Sequence, residues 1–496
     1  MSSIVKQSSL GLVANYIGIL LGAINVLLIM PALLEAEQIG LINLILSVIM
    51  LIYPILSFSS SHILKRYFTH VEDRQIIFNY SFLISCVGAL AFMIIFFLGE
   101  PVFIKYYKNN SSEVLPYFWW IYIVSIMMSW SDLAVNYAII HHRYHISAFS
   151  KEILFRIGIS ILLLGLFTQL YDFNTYIYLH FTMYGLTGLI VIFILRSQGL
   201  FHFNFSLPKF STSLNLKVFK FGSFTLFTGL ASVLAIRIDM IMLGSMQGLK
   251  DVGIYTIAMY MAAVIEVPRK TVLQASEPII RLAIKENDLN KVAQIHYKSI
   301  LHLLLAGGFI LVMLISNLDS IYAIIPNGEV YKKGFWVVLF IGLAKMSEMF
   351  GGCIHEIINA SKYYVVNIVF IVLLTVLSIG LNYYLIPIYG LSGAAAAAFF
   401  TTAFVVVIKT IVFKMLFRKE IYNLSILSVL LFYIALGIVL FFIPQVDNSF
   451  LAIFIKGTVG SISIYLFLRW SQISPGLNLL LNQILERLHF PNWLKL

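Results

Sequence analysis

The sequence predicts an all-α polytopic membrane protein of about 14 transmembrane helices. Of its 496 residues 60% are hydrophobic and only 11% charged, and the mean hydropathy is +0.94. The apolar residues also fall in blocks of about 20, the length that crosses a bilayer's hydrocarbon core at about 1.5 Å per residue. A soluble fold of this size could not hide so much apolar surface.

In chain order the blocks are Ser9–Leu33, Ile39–Ile63, Ile77–Leu98, Tyr117–Ile140, Ile153–Leu170, Tyr176–Leu195, Phe219–Gly244, Val252–Ser276, Ile300–Ala323, Phe335–Ile357, Tyr364–Ile386, Leu391–Val412, Leu424–Ile443 and Phe450–Leu468. Ser9–Leu33 is too long for a signal-peptide core and lacks a cleavage site, so it reads as the first span. Alternating the spans from an inner N-terminus puts about 24 Lys and Arg on one side and about five on the other (Lys105, Lys108, Lys250, Lys332 and Lys333). The bias places both termini on the cytoplasmic side. It also accounts for the net charge of +11, so no nucleic-acid partner is expected.

The first span holds Asn15, Asn25 and Pro31 but no acid or base. After it, Glu37–Asn43 reads like Lys250–Thr256: charged, polar, aliphatic, Gly, aliphatic, each opening a span that contains a proline, Pro54 or Pro268. That offset makes spans 1 to 6 and 7 to 12 parallel repeats with two spans appended. The domain limits expected are 1–200, 201–418, 419–470, and an interfacial helix in 471–496, where Pro475 and Pro491 bracket a stretch with leucines gathered on one side. Asn109–Ser112 contains glycosylation sequons in an outer loop. His141, His142, Arg143, Tyr144 and His145 hold an i, i+4 histidine pair with no Cys or carboxylate close by. An inner loop facing anionic lipid explains them better than a metal does. Trp119, Trp120, Trp336 and Trp470 sit at span ends as an interfacial belt, and Gly393–Ala398 is a small-residue packing surface. Cys86 and Cys353 both lie in spans as small apolar fillers. The longest loops, Arg196–Val218 and Glu277–Ser299, are too short for a catalytic domain. Neither a cofactor nor a metal is expected.

Certain stretches resemble a known family. Arg237, Asp239, Met242, Leu243 and Gly244 in span 7, Val252–Tyr255 leading into span 8, and Asn382, Ile386, Pro387, Tyr389, Gly390, Leu391, Gly393, Ala394 and Ala395 around the turn between spans 11 and 12 are similar to the polysaccharide, or lipid-linked oligosaccharide, flippases (Wzx-like) of the multidrug/oligosaccharidyl-lipid/polysaccharide exporter superfamily. The resemblance implies two six-helix lobes around a central cavity plus two C-terminal helices. It implies a protein that moves an undecaprenyl-diphosphate-linked oligosaccharide by alternating access for O-antigen or capsule assembly. The partners implied are that lipid-linked substrate, membrane lipids, a polysaccharide polymerase and glycosyltransferases. Drug exporters of the superfamily usually carry an acid in the first span, which this chain lacks. The alternatives are a cation-coupled small-molecule exporter and a membrane-embedded polymerase or acyltransferase.

Charges inside spans mark the candidate site, because an ion at bilayer depth must face protein or water. Arg237, Arg269 and Lys345 are the expected contacts of a diphosphate, which needs charge-assisted hydrogen bonds to replace its hydration. Asp239 and Glu348 accompany them, and Lys65, Arg66 and Arg156 at inner span ends serve either the substrate or the interface by snorkelling. Glu266 and Asp132, acids in the inner halves of spans, are the expected carriers of ion coupling. The bland alternative is self-pairing: Lys345 with Glu348 and Glu266 with Arg269 are spaced i, i+3. Arg237 and Asp239 are two apart and point to different faces, so at least one needs a partner elsewhere.

Overall fold

The computed structural model describes residues 17–71, 73–202, 212–418, 424–444 and 446–471, with the single positions 473 and 482. Among them there is no strand. The helices used below are α1 (Ile17–Leu33), α2 (Ala36–Ser57), α3 (Ser60–Tyr67), α4 (Arg74–Tyr107), α5 (Phe118–Ile140), α6 (Phe155–Phe167), α7 (Phe173–Ser197), α8 (Thr212–Met246), α9 (Leu249–Ala263), α10 (Val267–Lys285), α11 (Leu289–Ser316), α12 (Phe335–Phe350), α13 (Ile354–Ala360), α14 (Val366–Phe417), α15 (Leu424–Phe441) and α16 (Ser449–Ser471). Ten described helical stretches are long and apolar enough to cross a membrane, and α12 with α13 makes a bent eleventh. Where described, the expected spans are helical, but the second is broken at Phe58 and Ser59, the ninth at Asn317 and the tenth at Gly351–Cys353. The first begins, as described, at Ile17, the fifth is α6 with the turns before it, and the eleventh and twelfth share the 52-residue α14. The protein is an all-α multi-pass membrane protein. The expected C-terminal interfacial helix and Asn15 lie outside the described residues.

The helix starts follow from local chemistry. Glu35 and Gln38 form a reciprocal capping box at α2, and the Asp73, Asp172 and Asp288 carboxylates accept backbone N–H bonds at the starts of α4, α7 and α11. Phe58 and Ser59, both at positive φ, separate α2 from α3. Gly390, at φ 56° and ψ −134°, divides α14 where only a residue without Cβ sits easily. Span 8 lies in one continuous helical stretch, Leu249–Lys285, in which a 3₁₀ turn at Val264–Glu266 precedes Pro268 and divides α9 from α10. One expectation is corrected. Glu277–Ser299 is not a loop, since α10 runs to Lys285 and α11 begins at Leu289. There the Arg281 guanidinium holds Glu277 one turn back at 2.6 Å.

The chain divides into two compact units. Unit 1 is Met1–Thr256 with Ile386–Leu391, and unit 2 is Ile257–Leu385 with Ser392–Leu496. In unit 1, α5 packs along α7, and α2 packs along α8 and α5. Its core includes Ile63, Ile77, Phe78, Leu133 and Tyr137. In unit 2, α11 packs on α10, α12 and α15, over a core that includes Ile265, Leu304, Met349, Ile357 and Phe413. Ala394, Ala395 and Ala397 of the small-residue run are fully buried.

Within unit 1 the two similar segments meet each other. A Cβ on Gly40 would lie 1.9 Å from the Leu249 carbonyl oxygen, and a Cβ on Gly253 would lie 1.9 Å from that of Ala36. Glu37 and Lys250 bridge the same contact at 3.4 Å. Gly40 matches Gly253 at the same offset that matches Ala36 with Leu249 and Glu37 with Lys250. The contact is therefore reciprocal, and only glycine lets the two backbones close this far. The sequon loop is tied down beside it, with Asn110 Nδ2 donating to the Ser245 carbonyl at 2.8 Å and Ser111 Oγ to that of Gly244 at 2.6 Å. The Asn110 amide is thus engaged in the fold.

Candidate functional site

In unit 1, α8 carries Arg237 and Asp239 on different faces, as their spacing requires. Asp239 is 8% exposed. Its Oδ1 accepts the Met240 N–H at 2.9 Å and its Oδ2 accepts the Tyr255 hydroxyl from α9. The aspartate is therefore satisfied without Arg237. The guanidinium reaches only the Met240 sulfur, 3.7 Å from Nη1, and its Nε is buried with no hydrogen-bond acceptor among the described residues. A partly buried cation so placed has donors to offer an anion.

The other candidates of unit 1 have partners. Lys151 Nζ lies 2.8 Å from Asp132 Oδ1, and Ser61 of α3 is close to that carboxylate. Arg156 pairs with Glu152 at 3.0 Å and lies across Gly18 and Gly22 of α1, where side chains would collide with it. This gives Arg156 a structural role that snorkelling alone does not. Asn25, at the start of a π-helical turn, brackets the same contact, donating to the Arg156 carbonyl at 3.0 Å and accepting from Ser160 Oγ at 2.8 Å. Lys65 and Arg66 are exposed. Arg66 stands 4.2 Å from the centroid of the Phe221 ring, a cation–π contact.

In unit 2 the structure replaces both self-pairs. Lys345 Nζ lies 2.9 Å from Glu266 Oε2 and Arg269 Nη1 lies 3.5 Å from Glu348 Oε2. Each acid takes the base of the other helix, so the i, i+3 spacing sets up a crossed network between the start of α10 and α12. The side chains are 22% to 31% exposed, which leaves the network in reach of a ligand.

Three more groups join it that the sequence reading did not single out. Lys409 of α14 lies in the field of Glu348, Arg269 and Glu356, with its ammonium 5.6 Å from the Phe370 ring centroid. Glu356 has a buried Oε2 with no hydrogen-bond donor among the described residues. His355 shares a 3.0 Å hydrogen bond with the Asn359 amide. Lys409 lies inside the predicted twelfth span, which was the available signal. Among the described residues no group of His, Cys, Asp and Glu could hold a metal ion.

Asp172 and His141 are among the groups outside the spans that are shifted. Hydrogen bonds from Thr175 hold the Asp172 carboxyl below its ordinary value. Burial, with Arg74, Arg143 and His142 nearby, pushes His141 down to about 4.

No family model and no curated protein matches this sequence. Solved structures match its fold. A lipid II flippase MurJ in an inward closed conformation is 13% identical with a TM-score of 0.72, over 93% of this chain and 99% of that one. An inward-facing multidrug resistance MATE family transporter of the MOP superfamily is 12% identical with a TM-score of 0.64, over 83% and 94%. An outward-facing MATE family structure gives 13% and 0.56 over 84% and 95%. At these identities the likeness is one of fold, and the fold is that of these transporters and flippases.

Proposed function

We propose that the chain is a flippase that carries an undecaprenyl-diphosphate-linked oligosaccharide across the cytoplasmic membrane by alternating access, for assembly of a surface polysaccharide such as O-antigen or capsule. The observation that carries this reading is Arg237, a guanidinium held inside a span with no acid paired to it among the described residues. A diphosphate supplies the missing acceptors. Likeness of fold to a protein named a lipid II flippase supports the same substrate class. The described first span, without an acid, does not favour a cation exporter.

In this proposal Arg269, Lys345 and Lys409 form within unit 2 a further cluster of cations for anionic substrate. Glu266 and Asp132 remain the proposed coupling acids, and each must leave its lysine to take up an ion. Both termini are cytoplasmic, the spans group as six, six and two, and glycosyltransferases and a polymerase work on either side of the transport step. The test is Arg237→Ala beside Arg237→Lys in proteoliposomes loaded with a fluorescent lipid-linked oligosaccharide. Flipping should fall at least about tenfold in the alanine variant and recover in part with lysine, which restores charge without the planar fork. The amount of folded protein should not change. Loss of folded protein in proportion to loss of flipping would remove Arg237 from the substrate site.

A further inference from the structure

Where α2, α7 and α9 begin, unit 1 holds a pocket of about 520 Å³, within the size range of small-ligand sites. Its lining includes none of Arg237, Asp239 and Asp132 of unit 1. Its apolar walls are Tyr117, Phe173 and Tyr178, with the rings of Tyr117 and Tyr178 centred 5.5 Å apart. Its polar groups are Glu37, Gln38, Glu113 and Asn174.

The free valences of those groups define the ligand. Asn174 Oδ1 accepts the Tyr117 hydroxyl at 2.9 Å, and Gln38 Oε1 accepts the Glu35 N–H at 3.0 Å. Each amide thus keeps its NH₂ as donor. Glu37 is matched by Lys250 at 3.4 Å, and Glu113 is exposed with one oxygen 3.5 Å from Ser112 Oγ. The pocket therefore offers donors and acceptors together beside aromatic faces. The charge that would favour an organic cation over a sugar at these rings is weakened, since Glu37 is taken by Lys250 and Glu113 stands exposed to water. A sugar ring presents hydroxyls that both donate and accept around C–H faces that are drawn to the negative face of an aromatic ring.

We propose that this pocket is a saccharide subsite that takes one neutral sugar unit of the transported glycan. Leu249, whose carbonyl oxygen packs against Gly40, also lines it. Separation of α9 from α2 would remove that wall and strip Glu37 of Lys250, so the subsite exists only while the reciprocal glycine contact is closed. Its place in transport rests on the flippase reading, whereas its binding of sugar does not.

The experiment uses the full chain in lipid nanodiscs and saturation-transfer NMR, with glucose, N-acetylglucosamine and choline each titrated into the millimolar range. Phe173 and Tyr178 are part or fully exposed, so the Phe173→Ala/Tyr178→Ala variant should keep its thermal unfolding midpoint. We expect saturable binding of at least one sugar, weakened about tenfold in that variant, and no saturable choline signal. Absence of saturable sugar binding in the wild type, binding that the variant leaves unchanged, or choline binding in place of sugar would each overturn the subsite. Flipping that persists without sugar binding sinks the subsite alone, and sugar binding without flipping sinks the flippase reading alone.

Discussion

In unit 2 two acids and two bases are exchanged between the start of α10 and α12, so that Glu266 meets Lys345 and Arg269 meets Glu348. In unit 1 the single acid on α8 is taken by a tyrosine, and the arginine two residues earlier is left with a methionine sulfur. Both arrangements keep charge away from lipid, but they differ in what they leave over. A crossed network is neutral within itself and ties two helices together. Because it is 22% to 31% exposed, an anion can still compete for its cations. In the α8 arrangement Arg237 lies in the field of Asp239 but has no acid at pairing distance among the described residues. Local spacing sets how many charges share a face, and packing against the next helix decides which of them remain available.

The comparison breaks most visibly where a partner is removed from the crossed network. Lys345→Ala takes from Glu266 its base at 2.9 Å and leaves it the field of Lys270 and Arg269, so at this partial exposure the loss should fall at or below the lower end for buried pairs, about 2–3 kcal/mol. Denaturant unfolding in detergent micelles should show that loss. The double exchange Glu266→Lys/Lys345→Glu should recover only part of it, because it restores the pair across the helices but sets like charges three residues apart on each. An unchanged midpoint in Lys345→Ala would mean that the network is not holding α10 to α12.

A smaller effect is expected in unit 1. Tyr255→Phe removes one of the two hydrogen bonds on Asp239, worth about 1.5–3 kcal/mol for an ionised acceptor. If Asp239 were instead free to turn to Arg237, the variant would lose little stability and would lose flipping, because the arginine would then be occupied. Parallel measurement of unfolding and flipping in Tyr255→Phe separates the two outcomes.

The membrane fold was legible because hydropathy over about 20 residues is a direct readout of bilayer thickness. The independence of Arg237 from Asp239 was legible too, since two residues along a helix turn a side chain to another face. Partner choice in unit 2 was not, because i, i+3 spacing on α12 suits Lys345 and Glu348 for each other as well as for the reciprocal pair on α10. Polar helices beyond the apolar stretches carry no hydropathy signal, which is why Glu277–Ser299 reads as loop in the sequence and is mostly helix in the structure. Lys409 stands alone near the end of its span and resembles any interfacial lysine until α14 brings it beside Glu348 and Glu356. The glycine contact was half legible: the match of Glu37–Asn43 with Lys250–Thr256 was visible, whereas their touching each other was not. The pocket residues are spread from Glu37 to Leu249 and form no motif at all.

The smallest effect sharpens the comparison from outside the spans, at His141. Like Arg237 it is a basic group without a paired acid: its Nδ1 is 3.5 Å from Arg74 Nη1, its ring packs edge-on to Tyr137, and its Nε2 is buried with no partner among the described residues. An arginine cannot shed its proton in such a place, but a histidine can. Burial first, then Arg74, Arg143 and His142, outweigh the one favourable carboxylate, Asp73, and push His141 down to about 4 from 6.5. The unfolded chain then binds a proton at about 6.5 that the folded protein refuses until about 4, so this histidine's contribution to stability is complete above 6.5 and is lost as pH falls through that window. His141→Gln keeps a polar ring-sized group without the titration. The wild type should therefore lose more of its thermal midpoint between pH 7 and pH 5 than His141→Gln does, with the difference gone again above pH 7. Equal losses in the two proteins would show that His141 takes its proton as readily folded as unfolded, and that the cations around it are screened by water rather than felt across the fold.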